Sequence, residues 1–166
     1  PYAVRDWYNF RSRPAIAHRA MYDDFLVSFT DEPFVTQADI AARVVRGSGP
    51  PAGGQIAVAR GRKGQEAPAV AYNALRNEYV AAWADYRFLD DYDIFYRRIS
   101  AAGAAVPPEF VLASSAALYG DPALAHNSTS DGYLAVWQEV TSPSSGFEVY
   151  ARRLSGALEP LGMPIL

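Results

Sequence analysis

The tetrapeptide Pro14-Ala15-Ile16-Ala17 returns as Pro68-Ala69-Val70-Ala71 and again as Pro122-Ala123-Leu124-Ala125, each copy 54 residues after the last. A period of that length confines the chain to architectures in which one supersecondary unit stacks on copies of itself. The blocks in between keep the same register. Phe25-Leu26-Val27-Ser28-Phe29 aligns with Tyr79-Val80-Ala81-Ala82-Trp83 and Tyr133-Leu134-Ala135-Val136-Trp137, and two residues beyond each final aromatic stands an acid: Asp31, Asp85, Glu139. A third block reads Asp39-Ile40-Ala41-Ala42-Arg43, Asp93-Ile94-Phe95-Tyr96-Arg97 and, after a slip of one residue, Glu148-Val149-Tyr150-Ala151-Arg152. The fourth is Ile56-Ala57-Val58, Phe110-Val111-Leu112 and Pro164-Ile165-Leu166, and Pro1-Tyr2-Ala3-Val4 falls in its register.

Each block is short, rich in β-branched and aromatic residues, and bounded by Gly, Pro, Asn, Asp or Ser, the pattern of a strand between turns. None sustains the 3.6-residue periodicity of a helix. Four strands per period is the rhythm of a propeller blade. The expected fold is therefore all-β: a β-propeller unit over residues 1–166 with three four-stranded antiparallel blades. Repeats are expected near 12–65, 66–119 and 120–166, with 1–4 a strand from a neighbouring blade. The paired Ala residues of the first strand suit the crowded ground beside a propeller axis, where larger side chains collide.

Composition narrows the function classes. The chain has no Cys, which removes disulfides, thiolate metal sites and Cys nucleophiles. Its net charge of -3 argues against nucleic acid as the main partner. No apolar run approaches the roughly 18 residues that mark a membrane-spanning helix. Lys63 is the only lysine, so nearly all positive charge sits on Arg forks suited to carboxylates.

Tyr133-Leu134-Ala135-Val136-Trp137 and Asp93-Ile94-Phe95-Tyr96-Arg97 resemble the YLVVW…DIYAQR repeats of bacterial secreted and cell-surface β-propellers, and the likeness runs over nearly the whole chain. The first repeat departs most, with Phe29 in place of the Trp and Asp31-Glu32-Pro33 in place of Asp85-Tyr86-Arg87. The resemblance implies blade architecture and an extracellular or cell-surface setting. It implies no particular activity.

Three blades do not close a ring, since propellers use four to eight. The expectation is a partial ring completed by self-association, as a six-bladed dimer, or by the remainder of a longer chain. Loops after the second and fourth strands of each blade share one face, where ligands are expected. Asp6, Trp7, Tyr8, Asn9 and Arg11 form an aromatic, hydrogen-bonding loop there, suited to stacking on a sugar, and Tyr86, Arg87 and Tyr119 stand on the neighbouring loops. The recurring acids with Arg43, Arg97 and Arg152 read as structural ion pairs, because a catalytic pair is needed once and these recur in every blade.

Asp90-Asp91-Tyr92-Asp93 lacks the spacing of a calcium loop. His18 and His126 occupy the register of Tyr72 and have no second ligand at zinc-site spacing. No metal site, cofactor or catalytic residue is therefore assigned. The sequence leads to a noncatalytic recognition or scaffold module for carbohydrate or protein. A propeller glycan hydrolase and a structural surface or filament-associated protein remain as alternatives.

Overall fold

The strand blocks become twelve strands. They are β1 (Asn9–Arg19), β2 (Asp24–Pro33), β3 (Asp39–Arg46), β4 (Ala52–Ala59), β5 (Gln65–Asn73), β6 (Glu78–Asp85), β7 (Asp93–Ser100), β8 (Ala105–Ala113), β9 (Leu118–Asn127), β10 (Gly132–Val140), β11 (Glu148–Ser155) and β12 (Pro160–Ile165). The structure, a computed structural model, describes residues 9–33, 37–87, 92–114, 117–140 and 146–165. The only helical element among them is a 3₁₀ turn at Ala20–Tyr22. No helix among them is long and apolar enough to cross a membrane. Residues 1–4, expected as a neighbouring strand, lie outside the described residues.

The strands form three antiparallel sheets in sequence order, β1 to β4, β5 to β8 and β9 to β12. These are blades 1, 2 and 3. First strands β1, β5 and β9 lie side by side at the centre. Each first hairpin turns through a non-Gly residue in the left-handed region: Asp23, Asn77 and Asp131. Asp and Asn tolerate that conformation through local hydrogen bonding, which explains why these residues recur there.

Alternation along the strands decides what the blades bury. At the first seam Leu26, Ile40 and Val44 of blade 1 pack on Val70, Tyr79, Trp83 and Phe95 of blade 2. At the second, Val80, Ile94, Tyr96 and Leu112 of blade 2 pack on Tyr133, Trp137 and Leu154 of blade 3. Both faces of the middle sheet are therefore apolar, as a sheet covered on two sides requires. Polar bonds cross the same seams. The Tyr79 hydroxyl donates to Asp24 at 3.2 Å, and the Tyr96 hydroxyl donates to the Leu158 carbonyl at 2.8 Å.

Burying phenols at the seams makes the fold sensitive to alkali. Burial pushes the Tyr133 hydroxyl up to about 12, and burial, aided by the Asp24 charge, raises Tyr79 further. An unfolded Tyr ionises near 10, so the unfolded state loses these protons first as pH rises. Folding is then penalised by about 1.4 kcal/mol per pH unit per buried phenol between the unfolded and folded values. The stabilisation is complete below about pH 10 and is lost as pH climbs through about 12. Denaturant midpoints measured at about pH 9 and about pH 11.5 should fall steeply between the two, and Tyr133→Phe should flatten the fall.

Candidate functional site

All three first strands break register at the same place. Arg13 and Pro14 together oppose Phe29, Ala67 and Pro68 oppose Trp83, and Asp121 and Pro122 oppose Trp137. Proline has no N–H for a ladder bond, so it settles at a bulge rather than inside a paired strand. The residue before each proline is left-handed, with φ of 49° at Arg13, 51° at Ala67 and 43° at Asp121. Non-Gly residues held there cost about 1–2 kcal/mol each, and such strain gathers at functional sites.

The three bulges meet around the axis. Arg13, Pro14, Ala67, Pro68, Asp121 and Pro122 line an axial funnel of about 310 Å³. Across it the Arg13 guanidinium joins acids from the other two blades: Nη1 lies 3.4 Å from Asp121 Oδ1 and Nη2 lies 3.5 Å from Glu66 Oε2. Beside the funnel a recess of about 220 Å³ shares Arg13, Glu66 and Asp121 and adds Tyr92, Tyr119, Gln138 and Phe147. Phe147 is an exposed ring and Tyr92 a half-buried one. Burial and the Glu66 charge push the Tyr92 phenol up, while Arg13 pulls it back. The arrangement offers two carboxylates, a half-exposed cation, an amide and the rings of Tyr92 and Phe147 within one concavity.

No protein-family model and no curated protein matches the sequence. Solved structures match it in shape. The N-acetylgalactosamine deacetylase from F. plautii, in complex with blood group B trisaccharide, aligns with a TM-score of 0.68 at 7% identity, over 95% of this chain and 53% of that one. The endo-arabinase from Bacteroides thetaiotaomicron VPI-5482 gives 0.63 at 10% identity, over 97% of this chain and 66% of that one. A GH43 β-1,3-galactosidase gives 0.61 at 12% identity, over 95% and 32%. The fold is a β-propeller. The chain spans about half the length of the deacetylase it matches.

Within the propeller the residues singled out by sequence part company. Asp6, Trp7 and Tyr8 lie outside the described residues, as does the side chain of Asn9, whose backbone opens β1 opposite Pro33. Asn9, Phe10 and Arg11 stand on β1, paired with β2, and not on a loop as expected, and Phe10 is exposed. Arg11 is held within blade 1, its Nε 3.1 Å from Asp31 and its guanidinium over the Phe29 ring. Tyr86 packs against Tyr92 at the edge of the recess. Arg87 is engaged by Asp85 at 2.6 Å and Glu109 at 2.8 Å and lies over the Phe95 ring, so its guanidinium braces blade 2. Tyr119 was expected on a loop. It stands instead on β9 with its ring in the core of the second seam, reaching the recess from below.

The repeated acids have the structural role expected of them in two blades. Asp85 accepts the Trp83 indole N–H and the Arg87 backbone N–H, both at 2.9 Å, and Asp31 accepts from Arg11 and Gln55. The third-strand arginines behave otherwise than expected. Arg97 pairs with Glu109 and not with a strand-end Asp.

His18 stacks on Phe25 and His126 packs tilted against Tyr133, and among the described residues no group of three or more His, Asp or Glu side chains gathers as a metal site. Asp90 and Asp91 lie outside the described residues. Sequence reasoning missed the axial group of Arg13, Glu66 and Asp121. The signal was available: the residue before each repeated proline is Arg, Ala and Asp, so opposite charges stand at one register position beside a motif that keeps its Pro and both Ala.

Proposed function

We propose that the chain is the glycan-handling part of a carbohydrate-active β-propeller, with an extracellular site of action. The observation that carries this reading is the axial cluster, in which one Arg bridges two acids from different blades beside the exposed Phe147 ring and the half-buried Tyr92 ring. Sugars are recognised by carboxylates and amides that bind hydroxyls and by rings that stack on pyranose faces. The structural neighbours, a deacetylase, an arabinase and a galactosidase, support a glycan as the ligand.

Arg13 gates the acids. Its side chain is 52% exposed and that of Asp121 is 60% exposed, so the bridge is a surface ion pair worth less than about 1 kcal/mol. A sugar hydroxyl displaces it at little cost and takes its place between Glu66 and Asp121. Glycosidic cleavage requires two carboxylates about 5–9.5 Å apart flanking the scissile bond. Glu66 and Asp121 contact different nitrogens of the same guanidinium, at 3.5 and 3.4 Å, and so are the pair on which such a role would fall.

Oligosaccharides of arabinose, galactose and N-acetylgalactosamine, titrated by calorimetry, should bind. Asp121→Ala should weaken binding about tenfold or more, the worth of a charge-assisted hydrogen bond, and Phe147→Ala should weaken it as well. Aryl glycosides assayed alongside separate the roles: turnover lost in both Glu66→Gln and Asp121→Asn assigns hydrolysis to the pair, and binding without turnover assigns recognition alone. Binding that survives Asp121→Ala and Phe147→Ala together would sink the axial site.

A further inference from the structure

The blades are stitched by one contact made twice. Arg97 on β7 crosses the first seam and donates from Nη1 to the backbone carbonyl of Val58 on β4 at 2.8 Å. Arg152 on β11 crosses the second and donates to the carbonyl of Leu112 on β8 at 3.3 Å. Val58 and Leu112 stand 54 residues apart, on the fourth strand of successive blades. Register confirms the equivalence of the donors, because Arg97 pairs with Ala81 and Arg152 with Ala135, one period on.

Blade 1 carries the same donor. Arg43 pairs in register with Val27, one period before Ala81. No hydrogen bond or ion pair to its side chain forms among the described residues, and its Nε is buried without a partner. The acid that steadies Arg97 is Glu109, whose counterpart in blade 1 is Gln55, and Gln55 is turned towards Arg11 and Asp31. Around Arg43 the front face of blade 1 forms an apolar groove of about 430 Å³ lined by Val27, Phe29, Val45 and Pro51. The equivalents of Val27 and Phe29 in the other blades, Ala81 with Trp83 and Ala135 with Trp137, are buried at seams.

The far face of blade 3 is the complementary half. Leu134 is 43% exposed where Leu26 and Val80 are 0%, and Val149 is 60% exposed where Ile40 and Ile94 are 0%. One chain therefore carries both halves of the seam it already makes twice. Apolar sheet faces of this kind mark interaction surfaces.

We propose that the occupant is a second copy of this chain. The far face of blade 3 of each copy packs on the front face of blade 1 of the other, and Arg43 donates to a main-chain carbonyl on the fourth strand of the partner's blade 3. Two equivalent head-to-tail seams related by a twofold axis close a ring of six blades, within the four to eight that propellers use. The ring leaves neither face unpaired, and its existence is independent of any glycan reading of the axis.

Sedimentation equilibrium of the chain at about 100 μM should return twice its mass of 18.1 kDa, since a specific apolar interface of this kind holds well below that concentration. Val45→Asp on the front face and Val149→Asp on the far face should each give a folded monomer by circular dichroism. Mixing those two variants should restore a one-to-one dimer through the single seam left unaltered. Arg43→Met should raise the dissociation constant about tenfold or more. A monomer at the same concentration, as when residues 1–4 or a further blade of the same polypeptide cover the faces, overturns the proposal. So do an assembly larger than two copies, a dimer that survives both Asp variants, and a mixture that stays monomeric.

Discussion

Trp83→Ala is expected to destabilise the protein by about 3–5 kcal/mol, a large share of what a domain of this size holds in total. Trp83 is fully buried at the first seam, stacked near Phe95, and its indole N–H donates to Asp85 at 2.9 Å. Truncation removes the largest side chain of that seam and leaves a cavity that two rigid sheets do not collapse to fill. It also strips one donor from a buried carboxylate. Thermal unfolding should show a fall in Tm on the order of 10 °C. Phe29 occupies the same register on blade 1 but lines the open groove, so Phe29→Ala should cost about 1 kcal/mol in dilute solution. Equal losses at the two positions would mean that the front face of blade 1 is buried in the isolated chain.

That contrast bears on what the sequence disclosed. Strand number, order and sheet composition were legible because period-two alternation and bounding turns act locally, and three copies reinforce one another. The axial site was not, because the bulge that presents Arg13 and Asp121 depends on where proline falls relative to the facing aromatic of another strand. Tyr119 was misplaced for a related reason. β9 begins earlier than its repeat motif, and the alternation phase then turns the ring into the seam. The third-strand arginines recur beside the strand-end acids in sequence, which suggested a pairing within each blade. Arg97 does pair within its blade, but with Glu109 on the fourth strand, and both Arg97 and Arg152 also reach a carbonyl of the preceding blade, a relation fixed only by sheet stacking.

Asp85→Ala should be as damaging as loss of the tryptophan, for an electrostatic reason. Asp85 has no solvent exposure and accepts three hydrogen bonds: from the Trp83 indole, the Arg87 backbone N–H and Arg87 Nη2. Its hydrogen bond and charge, with those of Glu109, hold the Arg87 guanidinium well above its ordinary value, so that cation stays charged. Through Arg87 the network continues to Glu109, to Arg97 and across the seam to the Val58 carbonyl. Deleting the carboxylate strands two buried donors and unbalances the cation, a change that costs about 3–5 kcal/mol when one partner of a buried pair is removed. Asp85→Asn should be milder, because an amide oxygen still accepts from Trp83 and the backbone. The decisive comparison is Asp85→Ala with Arg87→Met added. Removing both partners of a buried pair leaves no orphaned charge, so the double variant should recover part of the loss in urea titrations. It should not recover all of it, since the Trp83 N–H still lacks an acceptor and Glu109 keeps only Arg97. A double variant no more stable than Asp85→Ala would show that the carboxylate acts through Trp83 and the backbone turn, with the guanidinium a bystander.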